Sequence, residues 1–432
     1  MIGDPHMVEV WLPYGKTETC LAISAENLLG TIEPQPRPAV TDPESELKFA
    51  LENPLGSPRL REIVKSGSRI AVAVDITTNA ALNQLMLSKI LKELKDGAIS
   101  ESNITIIFSN WSQRPPDKPL TPLGEGALSG LLSITHDPDS AELMEVGVTS
   151  YKTRVMLSRA FAEADFKVLI GEAGFDPYAG YSGGRMGVLT LGGSKTIQHN
   201  QSLITDPHCR VGNLEKNPVH LDMVEAATLA KVDFILNIVT DGAGGIVKAF
   251  AGGLEPAFLE SVKFLNETFG VTVDKKADIV AVSPEGHPYD DDFYHALRSL
   301  DRTLDIVRDG GVVVLVAECA QGHGNSGLYK WMSQLRSFED AREAVKKNFT
   351  PEFHAAYLLL RAQQKARIVA LTAMPEHMTT GIFKLRGAKC TDDALETAFR
   401  LAGRKAKIWV IPRGHTTLPI FRATEQPRTI PE

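Results

Sequence analysis

The chain has 432 residues, 43% of them hydrophobic and 23% charged, which is enough material for two domains with separate cores. Its formal net charge of -7 is small for that length, and its basic residues form no long run. A nucleic-acid surface and a polybasic membrane contact are therefore not expected, which leaves small anionic molecules as partners. Cys20, Cys209, Cys319 and Cys390 lie far apart with no CxxC spacing, as reduced thiols of a cytoplasmic protein do. No basic region with an apolar core marks a signal peptide, and no run approaches the roughly 18 apolar residues of a membrane span.

In chain order, Ile70–Val74, Ile104–Phe108, Lys167–Ile170 and Phe234–Val239 are short, β-branched apolar runs and read as buried strands of a parallel sheet. Asn79–Leu94 and Pro218–Ala230 read as amphipathic helices between them. This alternation predicts a layered α/β fold, in which ligands bind at the carboxyl ends of strands; Asp75, Ser109 and Gly171 stand at such ends. Gly180-Tyr181-Ser182-Gly183-Gly184-Arg185-Met186 and Leu191-Gly192-Gly193-Ser194-Lys195-Thr196 are glycine-rich turns whose backbone N–H groups make a candidate anion floor. They match neither the P-loop nor the dinucleotide fingerprint.

A polar hinge at Glu267–Lys276 precedes a second βα series. Ile279–Val282, Val312–Val316, Ile368–Leu371 and Ile408–Ile411 read as strands, with helices over Asp291–Arg308 and Pro351–Ala366. The expected organisation is an N-terminal α/β domain over 1–270, a C-terminal α/β domain over 277–420 and a tail over 421–432.

Several blocks then carry a family resemblance. Ala179–Asn200 (AGYSGGRMGVLTLGGSKTIQHN), Asn217–Val239 (NPVHLDMVEAATLAKVDFILNIV), Lys248–Gly253 (KAFAGG), Val74–Asn79 (VDITTN) and Gly286–Tyr294 (GHPYDDDFY) together resemble the nickel-dependent lactate racemase family, from about Ser24 to Pro419. The resemblance implies two βα-layered domains facing a central cleft. It also implies a nickel-pincer nucleotide, to which a hydride passes from the α-carbon of a 2-hydroxy acid before returning to either face.

Residue by residue, the resemblance holds in some places and breaks in others. At the positions of the family's two catalytic histidines stand Gln113 and Asp176. Met186 occupies the place of the lysine that tethers the cofactor, and Gln201 that of the nickel-binding histidine, with His199 two residues away. Asp75 and Thr77 match the family's acidic turn, while Thr78 replaces its arginine. Tyr294 matches a family tyrosine, His295 replaces a glutamine and Arg298 replaces a lysine. Tyr294 and Arg298, at i and i+4, share a helix face.

The resulting candidates are Asp176, Tyr294, His295 and Gln113 for moving protons, and Arg298, Arg114 and Ser182 for holding substrate. Asp75, Thr77, Gly183, Gly184 and Met186 are candidates for cofactor binding, and Gln201 and His199 for metal. Plainer explanations stand beside these. Asp75 after a strand caps a helix, Asp176-Pro177 is a common turn pair, Met186 is packing, and the Asp run after His287 suits a helix start rather than a cation. Two functions follow. One is a racemase or epimerase of a small 2-hydroxy acid or sugar acid with altered active-site chemistry. The other is a paralogue that has lost nickel-pincer catalysis and binds a small anionic ligand, or performs a metal-independent isomerisation or hydration.

Overall fold

A computed structural model describes residues 6–35, 37–75, 80–109, 130–347 and 353–422. The chain divides into two compact units: Arg37–Glu267 forms one, and Thr268 onward together with the first 36 residues forms the other. Among the described residues no helix is long and apolar enough to cross a membrane.

The chain opens with a hairpin, β1 (Met7–Tyr14) and β2 (Thr17–Ser24), followed by β3 (Leu28–Thr31). The Arg37–Glu267 unit then contributes β4 (Ile70–Asp75), β5 (Ile104–Ser109) and β6 (Leu132–Thr135), the hairpin β7 (Leu143–Val148) and β8 (Arg154–Ser158), and β9 (Phe166–Glu172). A two-residue ladder, β10 (Phe175–Asp176) with β11 (Gly180–Tyr181), precedes β12 (Phe234–Thr240) and β13 (Ile246–Gly252). Six of these strands form one sheet in the order β13-β12-β9-β4-β5-β6. All of its neighbours are parallel except β13, which runs antiparallel to β12. From β4 the chain builds outward to β5 and β6, and from β9 it builds the other way to β12 and β13. The order thus reverses between β4 and β9, the place where such sheets leave a crevice at their carboxyl ends.

Both faces of this sheet are covered. Val72, Val74, Ile104, Ile106, Ile170 and Leu236 pack against Leu47 and Leu51 of the helix Pro43–Glu52 and against Met86, Ile90 and Leu94 of the helix Ala80–Asp96. The intervening residues Ala71, Ala73, Ile107, Leu169 and Ile235 are also buried, which explains why the strands read as continuous apolar runs rather than alternating ones.

The other unit holds β14 (Gly270–Val273), β15 (Ala277–Val282), β16 (Val307–Val316), β17 (Ala366–Leu371), β18 (Arg386–Ala388), β19 (Ile408–Ile411) and β20 (Leu418–Phe421). Its sheet runs β18-β17-β16-β15-β19-β3, and every neighbour is parallel. The expected N-terminal domain over 1–270 is therefore corrected at its start. β3 pairs with β19, and Val10, Leu12, Leu21 and Ile23 of the first hairpin bury their faces against Ile279, Val312 and Val410. Nothing local in the first 36 residues reveals that partner. The expected tail also begins too early, because Phe421 is still paired with Val273 in the ladder of β14 and β20.

Candidate functional site

At the switch point of the Arg37–Glu267 unit, Gly171 on β9 pairs with Asn237 on β12, and a Cβ added to Gly171 would lie 3.7 Å from the Asp75 Cβ. The glycine turn packs directly over these strand ends. The Ser182 hydroxyl donates to the Glu172 carbonyl at 3.1 Å, the Ser182 N–H donates to Gly174 at 2.8 Å, and the Gly184 N–H donates to Asn237 Oδ1 at 3.2 Å. Met186 N–H returns to the Gly183 carbonyl at 3.2 Å. Much of the N–H supply expected to face an anion is thus spent on fixing the turn. Close packing enforces glycine here: Gly183 has φ +86°, and a Cβ on it would stand 3.1 Å from the Ala173 Cα. Gly180 is more constrained still, with φ +80° and a Cβ site 2.3 Å from the Asn213 carbonyl oxygen. Gly180→Ala is expected to lose about 2–4 kcal/mol of stability in denaturant unfolding; a loss below about 1 kcal/mol would show that the turn relaxes freely.

The residue that holds this turn is one the sequence reading passed over. Arg185 is 1% exposed, donating from Nε to His220 Nδ1, from Nη1 to the Gly183 carbonyl and from Nη2 to the Ala179 carbonyl, each at 3.1 Å. Its guanidinium carbon lies 4.1 Å from the centroid of the Phe258 ring. Burial pulls Arg185 down to about 9, and the charge of Asp176 works against that fall. His220 is driven down to about 3 by burial first and by Arg185 second. It is therefore neutral, with Nδ1 the acceptor and the proton on Nε2.

The predicted residues of this unit divide as follows. Asp176 Oδ1 accepts from the Tyr178 and Ala179 N–H groups at 2.9 and 2.7 Å, so it closes the turn before β11. Met186 opens the short helix Met186–Leu189 and is buried. Gln201 is buried on the helix Ser194–Ser202, donating to Asn200 Oδ1 at 2.8 Å. Asn200 in turn donates to Asp222 at 2.7 Å, and Asp222 also takes the hydroxyls of Thr149 and Thr153. Gln201 thus joins an interior polar network, whereas His199 is exposed and bonded to the Tyr151 carbonyl at 3.0 Å. Among the described residues no group of three or more His, Cys, Asp or Glu side chains is placed to hold a metal ion. Thr77, Gln113 and Arg114 lie outside the described residues.

Glu172 is the last residue of β9, beyond the strand that the sequence predicts, which ends before Gly171. Its Oε1 accepts the Thr240 hydroxyl, and burial pushes its carboxyl above the ordinary glutamate range. A carboxylate directly after an apolar strand run was the available signal.

In the other unit the helix Phe293–Thr303 carries Tyr294, His295 and Arg298 on its first turns. Asp292 caps it, with Oδ1 accepting the His295 N–H at 2.9 Å and lying 2.8 Å from His295 Nδ1. That cap, and the bonds from the Gly15 and Glu318 N–H groups to Asp290 Oδ2, account for the Asp run. His287 pairs with Asp291 at 2.7 Å. The structure adds His415, which follows β19 and stacks on Tyr289 with centroids 3.7 Å apart. Burial, then the charges of Arg302, Arg298 and His295, hold His415 down to about 3. Arg298 itself is exposed. A guanidinium, an imidazole and a phenol are thus grouped near a second, neutral imidazole, an arrangement suited to holding a carboxylate.

Comparison with known proteins gives the same pattern in both halves. The family model described as Lactate racemase N-terminal domain matches residues 14–212, and that described as Lactate racemase C-terminal domain matches 272–418. A lactate racemase of Thermoanaerobacterium thermosaccharolyticum is 29% identical over 424 residues, covering 94% of this chain and 98% of its own. One from Lactiplantibacillus plantarum is 28% identical over 429 residues, with 94% and 99% covered. The structure of the lactate racemase apoprotein from T. thermosaccharolyticum superposes with a TM-score of 0.86 at 28% identity, covering 96% of this chain and all of that one (100%). A Thermotoga maritima protein at 14% identity and TM-score 0.60 covers 88% of this chain and 98% of its own and shares the fold alone. The chain belongs to the lactate racemase family.

Proposed function

We propose that this chain is a racemase or epimerase of a small 2-hydroxy acid or sugar acid whose active-site chemistry differs from that of the family. The observation that carries this reading is the cluster of Tyr294, His295 and Arg298 with neutral His415, set in a chain that matches lactate racemases through both halves. Arg298 takes the substrate carboxylate through its planar fork. His295 and Tyr294 are the groups that move protons at the reacting carbon. Four cysteines outside any disulfide support a cytoplasmic location.

The family's nickel-pincer nucleotide does not fit the residues present. A thioether at Met186 cannot form the tethering bond, and that side chain is buried. Gln201 is committed to Asn200, and its carboxamide is a poor nickel ligand beside an imidazole. Protein made alongside the cofactor-making enzymes is expected to be colourless, with no stoichiometric nickel by elemental analysis and no adduct by intact mass. Nickel near one atom per chain with a visible chromophore would overturn this. Incubation with enantiopure 2-hydroxy acids in heavy water is expected to scramble the stereocentre.

Asp176 favours a second reading, in which the chain binds a small anion without racemising it, or isomerises or hydrates it without metal. Its Oδ1 is engaged by two backbone N–H groups, as in a purely structural turn. That reading predicts a thermal shift with such anions and unchanged optical purity.

A further inference from the structure

The second sheet has a switch point of its own. From β15 the chain builds outward through β16, β17 and β18, then returns to lay β19 on the other side of β15, which leaves a crevice at the carboxyl ends of β15 and β19. The loops 283–289 and 412–416, which follow those two strands, meet there. The Gly414 N–H donates to the Ser283 carbonyl at 2.7 Å, the His415 N–H to that of Pro284 at 3.2 Å, and the Thr416 hydroxyl to Glu285 Oε2 at 2.8 Å. Glu285 is held at φ +104°, a strained setting for a residue with a side chain and of the kind that clusters at ligand sites.

His415 is pinned through every group but its ring nitrogens. Its carbonyl accepts from Arg302 Nη2 at 3.4 Å, its N–H is taken by Pro284, and one face of the ring lies on Tyr289. Among the described residues no hydrogen bond reaches either ring nitrogen. The residue is only partly buried, so the ring is within reach of a small molecule. We propose that the 2-hydroxy acid sits in the crevice between β15 and β19, and that His415 is a substrate-contacting residue whose imidazole accepts the hydrogen bond of the 2-hydroxyl.

The charges around the ring favour that role. Arg302, Arg298 and His295, all on the helix Phe293–Thr303, help to keep the imidazole neutral, and Glu285 and Tyr289 are the ionisable groups of the adjoining loop. A neutral imidazole has one nitrogen able to accept, whereas an imidazolium has none. Arg298 and His415 thus offer partners to the two functions that define a 2-hydroxy acid, a planar fork for the carboxylate and an acceptor for the hydroxyl. All of these groups belong to the unit that begins at Thr268.

The inference rests on the hydroxy-acid reading and is tested on the full-length chain with lactate and with propionate, which lacks only the 2-hydroxyl. Wild type is expected to bind lactate about tenfold more tightly than propionate, and the ring nitrogens of His415 should shift in nitrogen NMR with lactate but not with propionate. His415→Phe keeps a ring on Tyr289 and removes both nitrogens. It should bind the two acids equally, with its affinity for propionate within about twofold of wild type. His415→Gln restores an acceptor and should recover part of the preference. An undiminished preference for lactate in His415→Phe, a His415 ring unmoved by lactate, or wild type that binds neither acid would each overturn the proposal. If His415→Phe does not fold, the wild-type NMR titration decides alone. The two readings fail separately. Lactate that binds through His415 but keeps its optical purity sinks the racemase reading and leaves the site standing, whereas racemised lactate with a preference indifferent to His415 does the reverse.

Discussion

Replacing Arg185 with methionine is expected to destabilise the protein by about 3–5 kcal/mol, a large share of what a domain possesses. The substitution keeps much of the apolar stem against Phe258 but removes three donors at once. His220 Nδ1 and the carbonyls of Gly183 and Ala179 are left without the partners they have at 3.1 Å, and each orphaned buried group costs about 1–3 kcal/mol. Relief from burying a guanidinium offsets part of the sum, which places the estimate toward the lower end of it. Lysine is no remedy, because an ammonium cannot reproduce the planar fork that reaches three separate acceptors. Urea unfolding measures the change, and a loss below about 1 kcal/mol would show that the turn does not depend on Arg185.

The same pair sets an acid dependence. His220 titrates near 3 in the folded protein against 6.5 ordinarily. Between those values the unfolded chain holds more protons than the folded one, so this histidine makes stability fall as pH drops from 6.5 toward 3. Since Arg185 is the second cause of the displacement, the slope over that window should be shallower in Arg185→Met.

What was legible in the sequence follows from how local the governing interactions are. β4, β5, β9, β12, β15, β16, β17 and β19 showed themselves as apolar runs because a doubly covered parallel sheet demands them. β6 did not, since it pairs only with β5 at the sheet edge and Leu132 is 61% exposed. Asp292 as a helix cap and Met186 as packing were readable from immediate neighbours. Arg185 with His220, Gly184 with Asn237 and Glu172 with Thr240 were not, because these partners stand 35, 53 and 68 residues apart. The first hairpin is the extreme case, finding its core among residues beyond Ile279. The family resemblance supplied the fold, but it directed attention to the positions where the family keeps its lysine and histidines. In this chain the polar contacts around the glycine turn have been built from other residues.

Arg298→Met is expected to lower kcat/KM for the hydroxy acid by about a hundred- to a thousandfold while changing stability by less than about 0.5 kcal/mol. The asymmetry follows from exposure. Arg298 lies at the surface of its helix, so folding gains little from it, whereas a carboxylate bound there loses its bidentate partner. Arg298→Lys keeps the charge without the fork and should recover only part of the loss. Arg298 also acts on His415, as the second of three charges holding that imidazole down after burial. Removing it should move the titration of His415 upward from about 3 toward the ordinary 6.5, a change that nitrogen NMR of the ring detects without substrate. If turnover falls and the His415 titration moves, Arg298 both binds the substrate and helps to keep its neighbour neutral. If the titration moves but turnover does not, the carboxylate is held elsewhere, and the cluster around Tyr289 and His415 serves the fold of its own unit.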